Sequence, residues 1–268
     1  MSRPVAVAAT AAFGADVLER LAQHHEVTSV LTRPDAPSGR GRRLAASPAK
    51  TTAQRLGLRV LQPERLEPGL DLGAEVAVAV AYGLIVPEDV LAERLWLNVH
   101  PSLLPRWRGA APVERALMAG DVETGVSIIK LVKELDAGPI AAQESFALSE
   151  EDDAGAVYAR ATEAALRLLD DVLTSTAPAF RDQVGEATYA AKIAPEDRHL
   201  DLERPAGELV DRVRALSPHI GARAELHGRG MTVWKARVAA DGAFEPVEVQ
   251  PDGGRRMAYD AWLRGLRP

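Results

Sequence analysis

Asn98 and His100 stand two residues apart at the end of a segment in which Leu95, Leu97 and Val99 recur at every second position. That period predicts a half-buried strand over Leu95–Val99, and it puts Asn98 and His100 on one face just before Pro101 breaks it. An amide beside an imidazole at a strand end is a donor pair for a carbonyl oxygen that gains charge. Downstream, Glu134–Pro139 (ELDAGP) carries Asp136 in a Gly/Pro turn, from which a carboxylate can meet that imidazole. Spacing alone also admits plain structural roles: a strand-end histidine satisfied by its neighbours, and an aspartate that closes a turn. The irregular stretch Pro101–Pro105 ends in Arg106 and Arg108, which either add positive charge near the site or pair with a carboxylate.

The elements that must hold these residues alternate between strand and helix. Val5–Ala9 reads as a buried strand, Ala15–His24 as a helix and Glu26–Thr32 as a second strand. A helix starts near Ser47-Pro48, a capping residue followed by proline in the first turn. Val60–Leu61, Val76–Ala81 and Leu95–Val99 give further strands with short helical stretches between. The alternation predicts an α/β fold: an open, mostly parallel sheet with helices on both faces. Ligands gather at the carboxyl ends of such strands, where Thr32, Tyr82 and His100 lie. Thr124–Leu131 and Ile140–Leu148 read as a strand pair around the Asp136 turn, and Glu151–Ser175 as a long amphipathic helix. The pattern breaks down over Thr176–Lys192. A small unit then carries a helix over Pro205–Leu216 and strands over Ala222–Leu226, Met231–Val238 and Pro246–Val249.

The chain has 268 residues, 47% of them hydrophobic and 26% charged, enough for a sizeable core under a soluble surface. Aromatic residues make up only 4%, so the core rests on Ala, Val and Leu. The absence of cysteine excludes disulfides and thiolate chemistry and suits a reducing cytoplasm. An Ala-rich N-terminus superficially resembles a signal peptide, but Asp16 and Glu19 interrupt it and it reads as strand, turn and helix. The run Val76–Val86 is far short of the roughly 20 residues that span a bilayer. A soluble, intracellular protein without membrane contact is the expectation. No G-x-G-x-x-G follows the first strand, so a dinucleotide is not supported. The six histidines show no spacing with carboxylates that suggests a metal site.

A net charge of −6 argues mildly against nucleic-acid binding, although whole-chain charge says little about a local patch. Acidic residues cluster in Glu150–Asp153 and Glu196–Glu203. The best nucleic-acid feature is Pro34–Lys50, where Arg40, Arg42, Arg43 and Lys50, with Arg33 just before, face only Asp35. By composition alone this is a solvated surface loop, made mobile by Ser38-Gly39 and Gly41.

Asn98-Val-His100, Ser102-Leu-Leu-Pro105, Arg106-Trp-Arg-Gly-Ala-Ala-Pro112, Glu123-Thr-Gly-Val126 and Leu135-Asp-Ala-Gly-Pro139 together resemble the signature of the 10-formyltetrahydrofolate-dependent formyltransferases. The RWRGAAP form resembles the branch that acts on methionyl-tRNA. The similarity runs from about residue 5 to the C-terminus. It implies a Rossmann-like formyltransferase domain over 1–180, a linker over 181–202, and a small, OB-like, β-rich, tRNA-binding domain over 203–268. It also implies transfer of a formyl group from 10-formyltetrahydrofolate to the α-amino group of initiator methionyl-tRNA, with Asn98, His100 and Asp136 catalytic. The alternative acceptor is a small amine such as an amino sugar nucleotide. The folate would lie against Ala81, Tyr82, Gly83, Leu84 and Ile85, helped by Ser102, Leu103, Leu104 and Pro105; as a plain reading, Leu84, Ile85 and Leu104 are core. The basic loop would meet the acceptor stem through Arg40, with Arg33, Arg42, Arg43, Lys50, Arg106 and Arg108 adding charge. No metal, no DNA and a monomer are implied.

Two departures from the family stand out. Where the family carries Gly-Thr-Pro, this chain has Ala9-Thr10-Ala11, which puts the backbone there in question. Between Val238 and Pro246 the family has considerably more chain, so a five-stranded barrel can hardly close and the C-terminal domain is reduced.

Overall fold

A computed structural model describes residues 3–38 and 43–266. In chain order the elements are β1 (Val5–Ala9), α1 (Ala12–His24), β2 (Val27–Leu31), β3 (Ala36–Ser38), β4 (Arg43–Ala45), α2 (Pro48–Arg55), β5 (Val60–Leu61) and β6 (Val76–Val80). Then come α3 (Glu88–Ala92), β7 (Leu95–His100), β8 (Arg108–Gly109), α4 (Pro112–Met118), β9 (Glu123–Lys130), β10 (Ile140–Ala147) and α5 (Ala154–Thr174). The chain ends with β11 (Tyr189–Ala190), α6 (Ala206–Leu216), β12 (Ala222–Leu226), β13 (Arg229–Val238), β14 (Phe244–Pro251), β15 (Met257–Ala258) and α7 (Tyr259–Arg264). Contacts divide it into two units, one of Met1–Arg108, Gly125–Ser145 and Ala159–Thr188, the other of Gly109–Thr124, Phe146–Tyr158 and Tyr189–Pro268.

The first unit is built on a seven-stranded sheet of order β10-β9-β7-β6-β1-β2-β5. From β5 through β7 the strands are parallel, and β9 is antiparallel to β7. Every residue of β1 (VAVAA) and β6 (VAVAV) is buried, as expected of strands covered on both faces. Their alternation is one of size rather than polarity. Ala6, Ala8, Ala77 and Ala79 face a single core cluster with Tyr82 and Trp96, so small side chains leave room for the two aromatics. On the other side α1 lies close against the sheet, because a Cβ on Gly14 would overlap the Val80 carbonyl oxygen.

Parallel strands put their carboxyl ends on one edge, and Thr10 ties three of them together. Its hydroxyl donates to the Tyr82 carbonyl (2.7 Å) and lies 3.5 Å from the Thr32 hydroxyl, which is 2.7 Å from that of Ser47. Ser47 also caps α2, accepting from the Lys50 N–H at 3.0 Å, with Pro48 opening the helix as expected. The departure at Ala9-Thr10-Ala11 is absorbed here. Ala11 has φ −76°, compatible with proline, yet its N–H donates to the Ala81 carbonyl (3.3 Å), a bond proline lacks.

Several expectations are corrected. Helix α1 starts at Ala12 rather than Ala15. The basic stretch within Pro34–Lys50 is not simply a loop: β3 and β4 pair antiparallel, Ala36 with Ala45 and Ser38 with Arg43. Alternating hydrophobicity is absent there because the pair buries neither face: Ala36, Pro37, Arg43, Leu44 and Ala45 are all exposed. Thr176–Lys192, read as patternless, holds the two-residue β11 and bonds described below.

In the second unit β12, β13, β14 and β15 form an antiparallel sheet in that order. Strands β12 and β15 are not neighbours, so the sheet stays open, in keeping with the short stretch between Val238 and Pro246. Leu209, Val213 and Leu216 of α6 meet Met231, Val233 and Val249 in its core. Arg115 of α4 forms an ion pair with Asp197 at 2.7 Å. Among the described residues no helix is long and apolar enough to cross a membrane.

Candidate active site

The parallel pairing of β6 with β7 matches Ala77 to Trp96 and Ala79 to Asn98, so Asn98 and His100 share one face, as their spacing predicts. Asp136 comes to them from the turn after β9. Its φ of +49° lies in the left-handed region, and Gly138, two residues on, has no room for a Cβ against the Lys130 carbonyl oxygen. The turn therefore folds back tightly and brings the carboxylate over the end of β7. The Asn98 amide donates to Asp136 Oδ1 at 3.3 Å, and His100 Nδ1 lies 3.6 Å from Asp136 Oδ2. His100 and Asp136 are 4% and 8% exposed, so their attraction is weakly screened.

The second imidazole nitrogen is also engaged: His100 Nε2 donates to the Trp107 carbonyl at 2.8 Å. A carbonyl only accepts, so the nitrogen that faces it, Nε2, carries a proton. Trp107 is itself held at φ +63°, with its N–H donating to Thr188 Oγ1 at 2.9 Å.

The loop from Pro101 to Trp107 is pinned by a buried polar set. Ser127, opposite His100 on β9, donates to the Ser102 carbonyl (2.7 Å) and accepts from the Leu104 N–H (3.2 Å). The Gln143 amide donates to Ser127 Oγ (2.8 Å) and to the Leu104 carbonyl (3.1 Å), while Ser102 donates to the Arg106 carbonyl (2.7 Å). Ser127 and Gln143 are not legible as site residues, since only the β7–β9 register shows what Ser127 faces, and only the contact with Ser127 brings in Gln143 from β10.

Ser102 and Leu104 are buried, the latter in a small core with Ile129 and Ile140; Leu103 and Pro105 are half-buried. Along Ala81–Ile85 the Tyr82 ring turns into the core, where burial pushes its hydroxyl pKa up to about 12. The Ala81 and Tyr82 carbonyls already accept from Ala11 and Thr10. Leu84 is half-buried, but Ile85 is 88% exposed, correcting its plain reading as core. The positive φ of Ala81 (+47°) and Gly83 (+77°) bends the chain away from the sheet before Ile85 can pack. A cavity of about 610 Å³ is lined by Thr10, Arg33, Asp35, Ser47, Glu64 and Leu84, among others.

Of the basic residues, Arg33 and Arg43 are exposed, and the Arg106 guanidinium stacks 4.5 Å over the Trp107 ring. Lys50 spends its charge on Asp35, both carboxylate oxygens at 2.8 Å, and its hydrogen bond holds that carboxyl below its ordinary range. Arg108 is half-buried and donates to Gln183 Oε1 through Nε (3.1 Å) and Nη2 (2.6 Å). Arg40 and Arg42 lie outside the described residues. Among the described residues no group of three or more His, Asp or Glu side chains is placed to hold a metal ion.

Two donors and a buried carboxylate at a strand end suit transfer of an acyl-type group between nitrogens, and similarity to known proteins gives that class a name. Residues 4–173 match the formyl transferase family model and residues 192–243 the formyl transferase C-terminal domain, so the chain belongs to the formyl transferase family. Within that family it is similar to the methionyl-tRNA formyltransferase of Paracoccus denitrificans, 38% identical over 95% of this chain and 94% of that protein. Among solved structures, methionyl-tRNA formyltransferase from Clostridium thermocellum superposes with a TM-score of 0.66 at 16% identity, covering 93% of this chain and 98% of that one. HypX from Aquifex aeolicus, in complex with tetrahydrofolic acid, gives 0.66 at 18% identity over 98% of this chain; the chain spans 47% of that longer protein. At such identities these two structures speak to the fold alone.

Proposed function

We propose that the chain transfers a formyl group from 10-formyltetrahydrofolate to the α-amino group of methionine on initiator methionyl-tRNA, in the cytoplasm. The observation that carries the reading is the 38% identity to a methionyl-tRNA formyltransferase over nearly the full length of both proteins. The grouping of Asn98, His100 and Asp136 at one strand end supports it.

In this reading the acceptor needs no covalent help. An α-amino group has an unperturbed pKa of about 7.7–8.0, and an ester on its carboxyl lowers it, so a neutral fraction exists near neutral pH. Its nitrogen forms the new C–N bond to the formyl carbon, the carbonyl oxygen takes up charge, and the bond to the folate nitrogen breaks. Asn98 donates one amide N–H to Asp136 and has a second for the charged oxygen. His100 reaches the same oxygen once its N–H to the Trp107 carbonyl is exchanged for it. Asp136 holds the imidazole beside it and helps carry the proton from the amine to the folate nitrogen, directly or through water. The exposed Ile85 and half-buried Leu84 offer apolar surface to a flat heterocycle.

The deciding experiment is formyl transfer from 10-formyltetrahydrofolate to initiator methionyl-tRNA at low salt. Rapid transfer that disappears in His100→Ala is the expected result. Transfer to small amines, such as amino sugar nucleotides, with none to the tRNA would replace the proposed acceptor.

A further inference from the structure

We infer that Gln183 is a positioning residue for the reaction: it clamps the turn that aims Asp136 and is itself oriented by Arg108. Gln183 lies in the segment between α5 and β11, where the sequence has no periodic pattern. Its Nε2 donates to the Asp136 carbonyl at 2.7 Å and to the Gly138 carbonyl at 2.9 Å. Its Oε1 accepts both Nε and Nη2 of Arg108. The orientation of the amide is forced, because a guanidinium only donates and backbone carbonyls only accept. All of the hydrogen-bonding capacity of one side chain is thereby directed at a single turn and at the arginine behind it.

The turn needs such a hold. Asp136 sits at φ +49°, a conformation that residues other than glycine disfavour and that persists only where the surroundings impose it. Within the turn, Ala137 N–H to the Glu134 carbonyl is a long bond at 3.3 Å. The two carbonyls bound by Gln183 are that of Asp136 itself and that of the second residue after it, so the backbone leaving the carboxylate is held at two points. Fixing them sets where Oδ1 and Oδ2 point, toward Asn98 and His100 respectively. Arg108 thus acts behind the site through Gln183. Gln183 touches no reacting atom and works only through Asp136.

The inference rests on the formyl-transfer reading, and its test separates the two. In Gln183→Ala, kcat is expected to fall about 10- to 100-fold, the scale of a misplaced catalytic group, with KM for both substrates held within about twofold. Gln183→Glu keeps an acceptor for Arg108 but has no donor for the carbonyls, so it should lose kcat to a similar degree. A simple loss of fold would act equally in every background; a clamp on Asp136 would not. Adding Gln183→Ala to Asp136→Asn should therefore lower the residual rate by less than about twofold. Equal losses in both backgrounds, or unchanged kcat in both single variants, overturn the assignment.

Amide hydrogen exchange over residues 134–139 supplies a readout that needs no activity. Faster exchange confined to that turn in Gln183→Glu supports the clamp, and unchanged exchange overturns it. If wild-type protein transfers formyl to no amine, the functional reading fails, and exchange alone decides the clamp.

Discussion

His100 and Asp136, from a parallel strand and from a turn 36 positions further on, meet with Nδ1 and Oδ2 3.6 Å apart in a site almost closed to water. The distance is that of an ion pair rather than of a hydrogen bond, and the carboxylate makes its closer contact with Asn98. One carboxylate therefore aims two donors. His100→Ala or Asp136→Asn should lower kcat by about 10²–10³-fold, roughly 3–4 kcal/mol of lost stabilisation of the charged oxygen. Single-turnover formyl transfer measures this, and rates within a few-fold of wild type would remove the pair from the mechanism.

Asn98 offers a sharper comparison. Asn98→Ala removes a donor, whereas Asn98→Asp puts a second carboxylate against Asp136 and raises the pKa of one of them. The aspartate variant should be the slower at neutral pH and should recover part of its rate as pH falls. A pH–rate profile in which alanine and aspartate behave alike would contradict the role given to the amide.

The proposed function and the Gln183 clamp give Arg40 and Arg108 different expected roles despite their common charge. Arg40→Ala should weaken use of charged tRNA and reduce the slope of log affinity against log salt by about 1, the signature of one lost phosphate contact. Arg108→Ala should leave that slope alone and lower kcat, because its guanidinium is held by Gln183. Parallel salt titrations of the two variants distinguish them.

Gly138→Ala places a methyl against the Lys130 carbonyl oxygen, which cannot move without disturbing β9. A loss of about 1–3 kcal/mol in stability is expected, together with a fall in kcat as the Asp136 turn shifts. Denaturant unfolding and kinetics on the same preparation check both.

Asp197 provides a pH test away from the site. The hydrogen bond from Arg115, aided by the Ala194 N–H, holds its carboxyl below the ordinary value of 3.8 against the cost of burial. A lowered carboxylate binds fewer protons folded than unfolded, so its contribution is full above the ordinary value and is lost as pH falls through the folded one. Asp197→Ala should cost about 1–2 kcal/mol near neutrality, and the gap to wild type should narrow below about pH 4. A gap that is constant with pH would mean that the pair contributes nothing ionic.

Period and punctuation were enough to place β1, β2, β6 and β7, the capped start of α2 and the shared face of Asn98 and His100. Those features depend on residues near one another in the chain, where side-chain alternation and a serine–proline pair carry their own signal. The motif residues around His100 and Asp136 named the family for the same reason: they are contiguous. The partners that make the site work are not contiguous. Ser127 faces His100 only because β9 pairs antiparallel with β7, and Gln183 reaches Asp136 from 47 positions away, out of a stretch with no period. Likewise, Ile85 is apolar in sequence and exposed in space because two left-handed residues turn the chain outward before it. Local pattern determines which strand ends carry the donors; only long-range pairing decides what holds the carboxylate that aims them.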